Sequence, residues 1–444
     1  MKADTIFALA SAPGRAGVAV MRLSGPEAGP ALARLAGVLP PPRRAARRRF
    51  ADPRTGEAID DGLVLYFPAP NSFTGEDVAE LHIHGSRAVI AALLDALAAL
   101  PGLRLAEPGE FTRRAFEHGK LDLTAAEGLA DLVAAETAAQ RRQALRQLEG
   151  ALGRLYEDWR TRLLRALAHL EAAIDFPEEG LPEGLSKEVR ESAAGLRAEI
   201  ARHLADGHRG ERLRDGVAVA IIGPPNAGKS SLMNALARRD VAITSAVAGT
   251  TRDVIEVALD LAGYPVVLAD TAGLRDAGDS IEEEGVRRAR ARAAAADLRL
   301  LVLDATEPVP AFPGRLVDGD TIVILNKVDL RLDARAEEAD RLGGGPALRL
   351  SVLTGTGMNE LLARLQKEVA ARYAPGEAPL LTRARHRAAL EACVAALERF
   401  VAQPALELAA EDLRLATQAL GRITGRVDIE DMLDVIFREF CIGK

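Results

Sequence analysis

Residues 217–231 read VAVAIIGPPNAGKSS, and no other stretch restricts the possible folds of this chain so sharply. The apolar run from Val217 to Ile222 ends at a glycine. The pattern G-x-x-x-x-G-K-S follows, filled by Gly223, Gly228, Lys229 and Ser230, and a helix-forming run, SLMNALARR, comes next. A strand, a glycine loop and a helix in that order form a cradle whose successive N–H groups converge on phosphate oxygens. The helix N-terminus adds the positive end of its dipole. Lys229 offers a point charge to the β and γ phosphates, and the Ser230 hydroxyl suits Mg²⁺. Asn226, Ala227 and Ser231 complete the expected loop contacts.

Three further pieces follow in order. AGTTRD (248–253) can give a threonine hydroxyl to Mg²⁺. VVLADTAG (266–273) brings Asp270 to the metal side on an apolar strand, and Thr271, Ala272 and Gly273 lead the backbone to the γ-phosphate. TIVILNKVD (321–329) ends a second buried strand in Asn326, Lys327 and Asp329. A buried carboxylate at Asp329 accepts from guanine N1–H and N2–H₂, and adenine would leave it unpaired, so the base is guanine. The loop at Ser351, Val352 and Leu353 closes over the base with backbone N–H groups. These are the successive motifs of a GTPase, and the implied cofactors are GTP and Mg²⁺.

Leu274 stands where a glutamine often orients the attacking water, and it cannot do so. Asn226, with carbonyls of the 244–250 loop, can hold a monovalent cation instead. An acid in DSIEEEGVRRA can orient water, with Glu282, Glu283 and Glu284 all open on composition.

The 444 residues allow several domains, and the expected fold class is multidomain α/β plus all-α. Residues 1–118 read as α/β, with strands near 5–10, 18–23, 62–67 and 78–83 and a helix at 88–100. Residues 119–215 read as helical: one or two long helices with a seam of Leu145, Leu148, Leu152, Leu155 and Trp159, then a segment from Ser186 to about Leu213. A Ras-like phosphate-loop domain, 216–375, alternates strands and helices. Residues 376–444 are helical again, so the two helical flanks are expected to pack together around the inserted domain.

The net charge of −7 gives no global case for nucleic acid binding, and the basic cluster RRAARRR (43–49) reads as a solvated loop or strand edge. His82 and His84 alternate on a strand with no third ligand in view, which favours a structural role over a metal. Two cysteines exclude a disulfide framework and point to a cytoplasmic setting. No apolar run approaches the ~20 residues of a membrane span, so no membrane partner is expected. Cys441, four from the end, reads from its context alone as a packing residue.

PGRAGVAVMRLSG (13–25), NSFTGEDVAEL (71–81), GEFTRRAFEHGKLDLTAAEGLADL (109–132), IDFPEE (174–179), the GTPase motifs and the terminal FCIGK run the length of the chain. With them the sequence resembles the bacterial MnmE (TrmE) family of tRNA modification GTPases. The resemblance implies an N-terminal folate-binding-like dimerisation domain, and a helical domain interrupted by the GTPase domain. It implies modification of wobble uridine (U34) at C5 with an aminomethyl or carboxymethylaminomethyl group. The one-carbon unit would come from 5-formyl- or 5,10-methylene-tetrahydrofolate. The implied partners are a second copy of the chain, tRNA, and the FAD protein MnmG in a heterotetramer-type complex.

Carried over residue by residue, folate falls to Arg22, Glu80, Lys120 and Lys444. Mg²⁺ falls to Ser230 and Thr251, and K⁺ to Asn226, Ser245, Val247 and Thr250. The GTP loop spans Ser245, Ala246, Val247, Ala248, Gly249, Thr250 and Thr251. The water-orienting acid becomes Glu282, and Cys441 gains a catalytic role. Pro224, the LHIHGS segment around His84 and Val352 depart from the family pattern. A non-modifying GTPase switch would carry an appended basic RNA-binding module. Here only helices ending in FCIGK follow.

Overall fold

The computed structural model describes residues 4–175, 185–239, 241–243, 256–270, 291, 293–309, 317–330, 336–342, 346–374, 378–427, 430–438 and 440–443. Two compact units emerge: Met1–Ala130 with Gln147–Val189 and Gln403–Lys444, and Asp131–Arg146 with Arg190–Ala402.

The first unit opens with β1 (Thr5–Leu9), β2 (Ala16–Ser24), α1 (Ala28–Ala36), β3 (Ala46–Ala51), β4 (Ala58–Phe67), β5 (Val78–Gly85), α2 (Arg87–Ala98), β6 (Leu103–Leu105) and α3 (Glu110–Glu117). The strands form one sheet in the order β3-β4-β5-β2-β1-β6, antiparallel except for β1 beside β6. Successive strand side chains point to opposite faces. Ala19, Met21 and Leu23 of β2 and Ala79, Leu81 and Ile83 of β5 therefore share a core with α1 and α2. The same alternation turns Arg22, Glu80 and His82 to the other face. The cluster at 43–49 is the edge strand β3 and the loop before it, agreeing with the strand-edge reading.

Next come α4 (Leu123–Ala134), α5 (Ala138–Leu148) and α6 (Ala151–Asp175). Three helices stand where one or two long ones were expected. The Gln140 side chain accepts from the Glu136 and Thr137 N–H groups, capping α5 after a break at 135–137. Gly150, at φ +81°, separates α5 from α6. That break shifts the seam. Leu145 is exposed, and the buried stripe runs along α6 through Leu152, Tyr156, Trp159, Leu163, Leu167 and Leu170. The next expected segment is also two helices, α7 (Leu185–Leu204) and α8 (Arg209–Asp215), divided at Gly207 and at His208, whose φ is +58°.

The second unit is built on β7 (Val217–Ile222), α9 (Lys229–Ala237), β8 (Glu256–Leu261), β9 (Tyr264–Asp270), β10 (Leu298–Asp304), β11 (Thr321–Asn326), α10 (Ala336–Asp340), β12 (Leu348–Arg349), α11 (Met358–Tyr373) and α12 (Ala384–Ala402). The sheet order is β12-β11-β10-β7-β9-β8, parallel except for β8 beside β9. Both faces are covered: Val219, Ile221, Leu300, Val302 and Ile324 pack one way, and Ala220, Ile222, Leu301, Leu303 and Leu325 the other. Two-sided burial explains why these strands read as unbroken apolar runs.

The chain ends in α13 (Leu406–Thr424) and α14 (Glu430–Arg438), which lie in the first unit. There α6 packs along α13, with Arg414 Nη2 2.7 Å from Glu171 Oε1, and α14 packs on α3. In the second unit α7 meets α12, where Arg190 donates to the Phe400 carbonyl at 2.8 Å. Each pair joins a helix that precedes the inserted sheet to one that follows it.

Candidate functional site: a phosphate loop and a separate charged cavity

The loop after β7 turns where only glycine fits. Gly223 has φ +143°, and a Cβ there would stand 2.1 Å from the Val302 carbonyl oxygen. Gly228, at φ +98°, is the N-cap of α9, and its Cβ would stand 2.3 Å from Asn326 Nδ2. Asn226 adopts φ +61°, a left-handed conformation that asparagine tolerates. Lys229 bends back over the loop and donates to the carbonyls of Gly223 (2.9 Å) and Pro224 (2.7 Å). Ser230 and Ser231, in the first turn of α9, are exposed. Converging N–H groups, a helix N-terminus and a lysine make a seat for a polyphosphate.

The end of β11 is tied to this loop. Asn326 is 2% exposed, and its Nδ2 donates to the carbonyl of buried Ala227 at 2.8 Å. Its Oδ1 accepts from the Val352 N–H at 3.2 Å. One side chain thus holds the phosphate loop and the 351–353 loop together. Ser351 is buried and shapes that second loop, with Oγ accepting from the Thr354 N–H at 3.2 Å, while Leu353 is 87% exposed.

Lys327, at φ +64°, places its Nζ 2.6 Å from Asp304 Oδ2. Burial would raise the Asp304 pKa. Hydrogen bonds from Lys327 and from the Thr306 hydroxyl and N–H outweigh it, so the carboxyl lies below its ordinary value. Sequence reasoning passed over Asp304; its signal is a lone acid ending the apolar run LRLLVLD. Asp329 is exposed, contrary to the buried carboxylate expected, because the chain leaves the sheet after Asn326.

β9 sets Asp270 beside Ile221 of β7, so the two motif-bearing strands end together. The Asp270 side chain lies outside the described residues. So do Ser245, Ala246, Val247, Ala248, Gly249, Thr250, Thr251, Thr271, Ala272, Gly273, Glu282, Glu283, Glu284 and Lys444.

The second constellation lies in the first unit. Arg22 and Glu80 face each other across β2 and β5, with Arg22 Nε and Nη2 at 3.0 and 2.9 Å from Glu80 Oε1. The guanidinium also lies 5.8 Å from the Phe73 ring centroid and 5.9 Å from that of Phe111. Lys120 donates to the Pro70 carbonyl at 2.9 Å. Arg22, Glu80 and Lys120 line one cavity of about 380 Å³ together with Arg43, Phe67 and Phe73. The cavity suits a flat, polar, anionic molecule. The aromatic members went unnoticed in the sequence, although Phe73 lies inside the NSFTGED stretch.

The C-terminal tail reaches the same place. The Gly443 carbonyl lies 3.5 Å from Arg22 Nη1, Ile442 bridges to Pro108, and Cys441 is exposed. Gly443 has φ +97° and a Cβ there would meet the Leu9 carbonyl oxygen at 2.3 Å, so glycine is needed at this position for close approach. His84 pairs with Asp60 (Nδ1–Oδ1 2.8 Å), and His82 Nε2 is 3.4 Å from Glu80 Oε2. No group of three metal-binding side chains occurs among the described residues.

Comparison with known proteins decides the family. The family described as MnmE helical domain matches residues 123–441, and that described as GTP-binding protein TrmE N-terminus matches residues 5–120. A tRNA modification GTPase MnmE of Parvibaculum lavamentivorans is 60% identical over 99% of this chain and 100% of its own length. The chain belongs to the MnmE family of tRNA modification GTPases.

Another MnmE, from Paramagnetospirillum magneticum, is also 60% identical, over 99% of this chain and 100% of the relative. A zebrafish (Danio rerio) relative, named mitochondrial 5-taurinomethyluridine-[tRNA] synthase subunit GTPB3, is 51% identical over 99% of this chain and 93% of its own. Among solved structures, the G domain of the T. maritima FeoB iron transporter is 27% identical, covers 36% of this chain and 99% of that one, and has a TM-score of 0.25. As an MnmE family member the chain is a GTPase that takes part in tRNA modification, and GTP with Mg²⁺ belongs to that activity. Among the described residues no helix is long and apolar enough to cross a membrane.

Proposed function

We propose that this GTPase works with the FAD protein MnmG in the cytoplasm to install an aminomethyl or carboxymethylaminomethyl group at C5 of wobble uridine. A tetrahydrofolate derivative supplies the one-carbon unit. The observation that supports this reading is the cavity holding Arg22, Glu80 and Lys120. A pterin and its glutamate tail need a carboxylate to accept ring N–H groups and cations to meet the tail. In this reading Glu80 takes the ring, Arg22 holds the Glu80 carboxylate in place through its two-pronged contact, and Lys120 meets the tail. The reading also assigns Lys444 to folate and Cys441 to the modification chemistry, and pairs the N-terminal domain with that of a second copy.

At the other site, the loop N–H groups and Lys229 bind the phosphates. Ser230 and Thr251 would hold Mg²⁺, and Asn226 with Ser245, Val247 and Thr250 would hold K⁺ as the two GTPase domains meet. Glu282 orients the attacking water. The domain limits belonging to this reading are 1–118, 119–215, 216–375 and 376–444.

Nucleoside analysis of tRNA from a strain lacking the protein tests the proposal. The wobble uridine should lose its C5 substituent, and an unchanged profile overturns the reading. GTP turnover should be faster in KCl than in NaCl at equal ionic strength, and Glu282→Ala should bind GTP without hydrolysing it.

A further inference from the structure

Between residues 43 and 54 the chain has six arginines and one acid, in a protein whose net charge is −7. The fold lays most of them on one edge. β3 ends the sheet of the first unit, with β4 as its only strand neighbour. Phe50 turns inward and is fully buried. Arg47 and Arg49 turn outward, two strand positions and so roughly 6.6 Å apart. Arg44 is exposed in the preceding loop, and Arg48 donates from Nη1 to the Arg47 carbonyl at 2.9 Å.

The nearby carboxylates do not neutralise this face. Arg47 forms a two-pronged pair with Asp61 (3.0 and 2.8 Å) while its side chain stays 79% exposed. The same carboxylate is the one that Arg49 faces in the β3–β4 ladder, and the Arg47 hydrogen bond, with the charges of Arg47 and Arg49 behind it, holds its pKa below the ordinary value. Asp60, the next acid, is committed to His84. The side chains of Arg44 and Arg49 make no hydrogen bond or ion pair among the described residues. Arg54, at the β3–β4 turn, is matched by Asp52.

We propose that the outward edge of β3, through Arg44, Arg47 and Arg49, is a docking surface for the phosphate backbone of the tRNA substrate. The proposal rests on tRNA being the family's substrate, and not on folate, K⁺ or MnmG. Guanidiniums with spare donors on a locally positive edge match a polyanion and carry no base information. Charged side chains can also guard an edge against strand pairing, and the test separates that role from docking.

The test measures binding of an unmodified tRNA transcript to the full chain by fluorescence anisotropy across a KCl series. Replacing Arg44, Arg47 and Arg49 together by alanine should weaken binding roughly tenfold or more near 50 mM salt. It should also flatten the slope of log affinity against log salt by about two. The triple lysine variant should keep the slope, and Asp61→Asn, which removes the shared acid, should tighten binding. Far-UV circular dichroism and thermal unfolding of these variants check folding, and GTP hydrolysis should be unchanged, since none of the residues lies in the sheet that carries the phosphate loop. Unchanged affinity and slope in the alanine variant overturn the proposal. So does self-association without loss of tRNA binding, which would make the arginines an edge guard, or weakened binding of an acidic protein alone.

Discussion

The side-chain amide of Asn326 donates to the carbonyl of Ala227 at 2.8 Å, across 99 residues of chain, and accepts from Val352 with its other end. Because all three groups sit at the junction of two loops, Asn326→Ala orphans a buried carbonyl and an N–H together. The expected cost is about 1–3 kcal/mol of stability. GDP affinity should fall with it, since the phosphate loop and the base loop lose their common anchor. Urea unfolding and GDP titration check both.

Gly223→Ala should be more damaging than its size suggests. The new methyl would stand 2.1 Å from a backbone oxygen of β10, which has no flexible end to yield. The left-handed backbone adds about 1–2 kcal/mol of strain. Nucleotide binding should be lost while the other unit of the chain stays folded, so far-UV circular dichroism should change little as GTP titration goes flat.

The two cysteines should separate cleanly by reactivity. Cys393 is fully buried on α12, and burial pushes its thiol up to about 12, so it offers almost no thiolate at neutral pH. Cys441 is exposed. A chromogenic disulfide reagent should titrate one thiol in the native protein and two in denaturant, and Cys441→Ser should abolish the native signal.

The Asp304–Lys327 pair should show itself in acid. The folded pKa of Asp304 is depressed, so its contribution is fully present above the unfolded value of about 3.9 and is lost as pH falls through the folded one. Asp304→Asn should therefore be less stable than the parent at pH 7, and the gap should begin to narrow as pH falls below about 4. Urea midpoints at pH 7, 5 and 3.5 measure it. A constant gap would mean that the carboxylate charge contributes nothing.

Much of the GTPase site could be read from the chain, because its glycines, Lys229 and Ser230 act through local backbone geometry. The strands were legible for a similar reason: two-sided burial leaves apolar runs such as TIVILN, and one-sided burial leaves the alternation of VAVMRLS. The helical region was less legible. Its periodicity ran through Glu149 and Gly150, so Leu145 was assigned to a seam that begins only at Leu152. Asp329 was taken as buried because its strand is buried, but strand burial stops at Asn326.

Sequence alone marked the phosphate loop and the family, since each rests on residue types at short, fixed spacing. Tertiary structure decided what those residues lean on. The register of β2 against β5 set Arg22 opposite Glu80, 58 residues away. The parallel pairing of β10 with β11 brought Asp304 to Lys327. The end position of β3 turned a run of arginines into an exposed face. A local pattern specifies what a segment can become. Which groups meet depends on strand order and register, settled by how all the apolar faces bury one another.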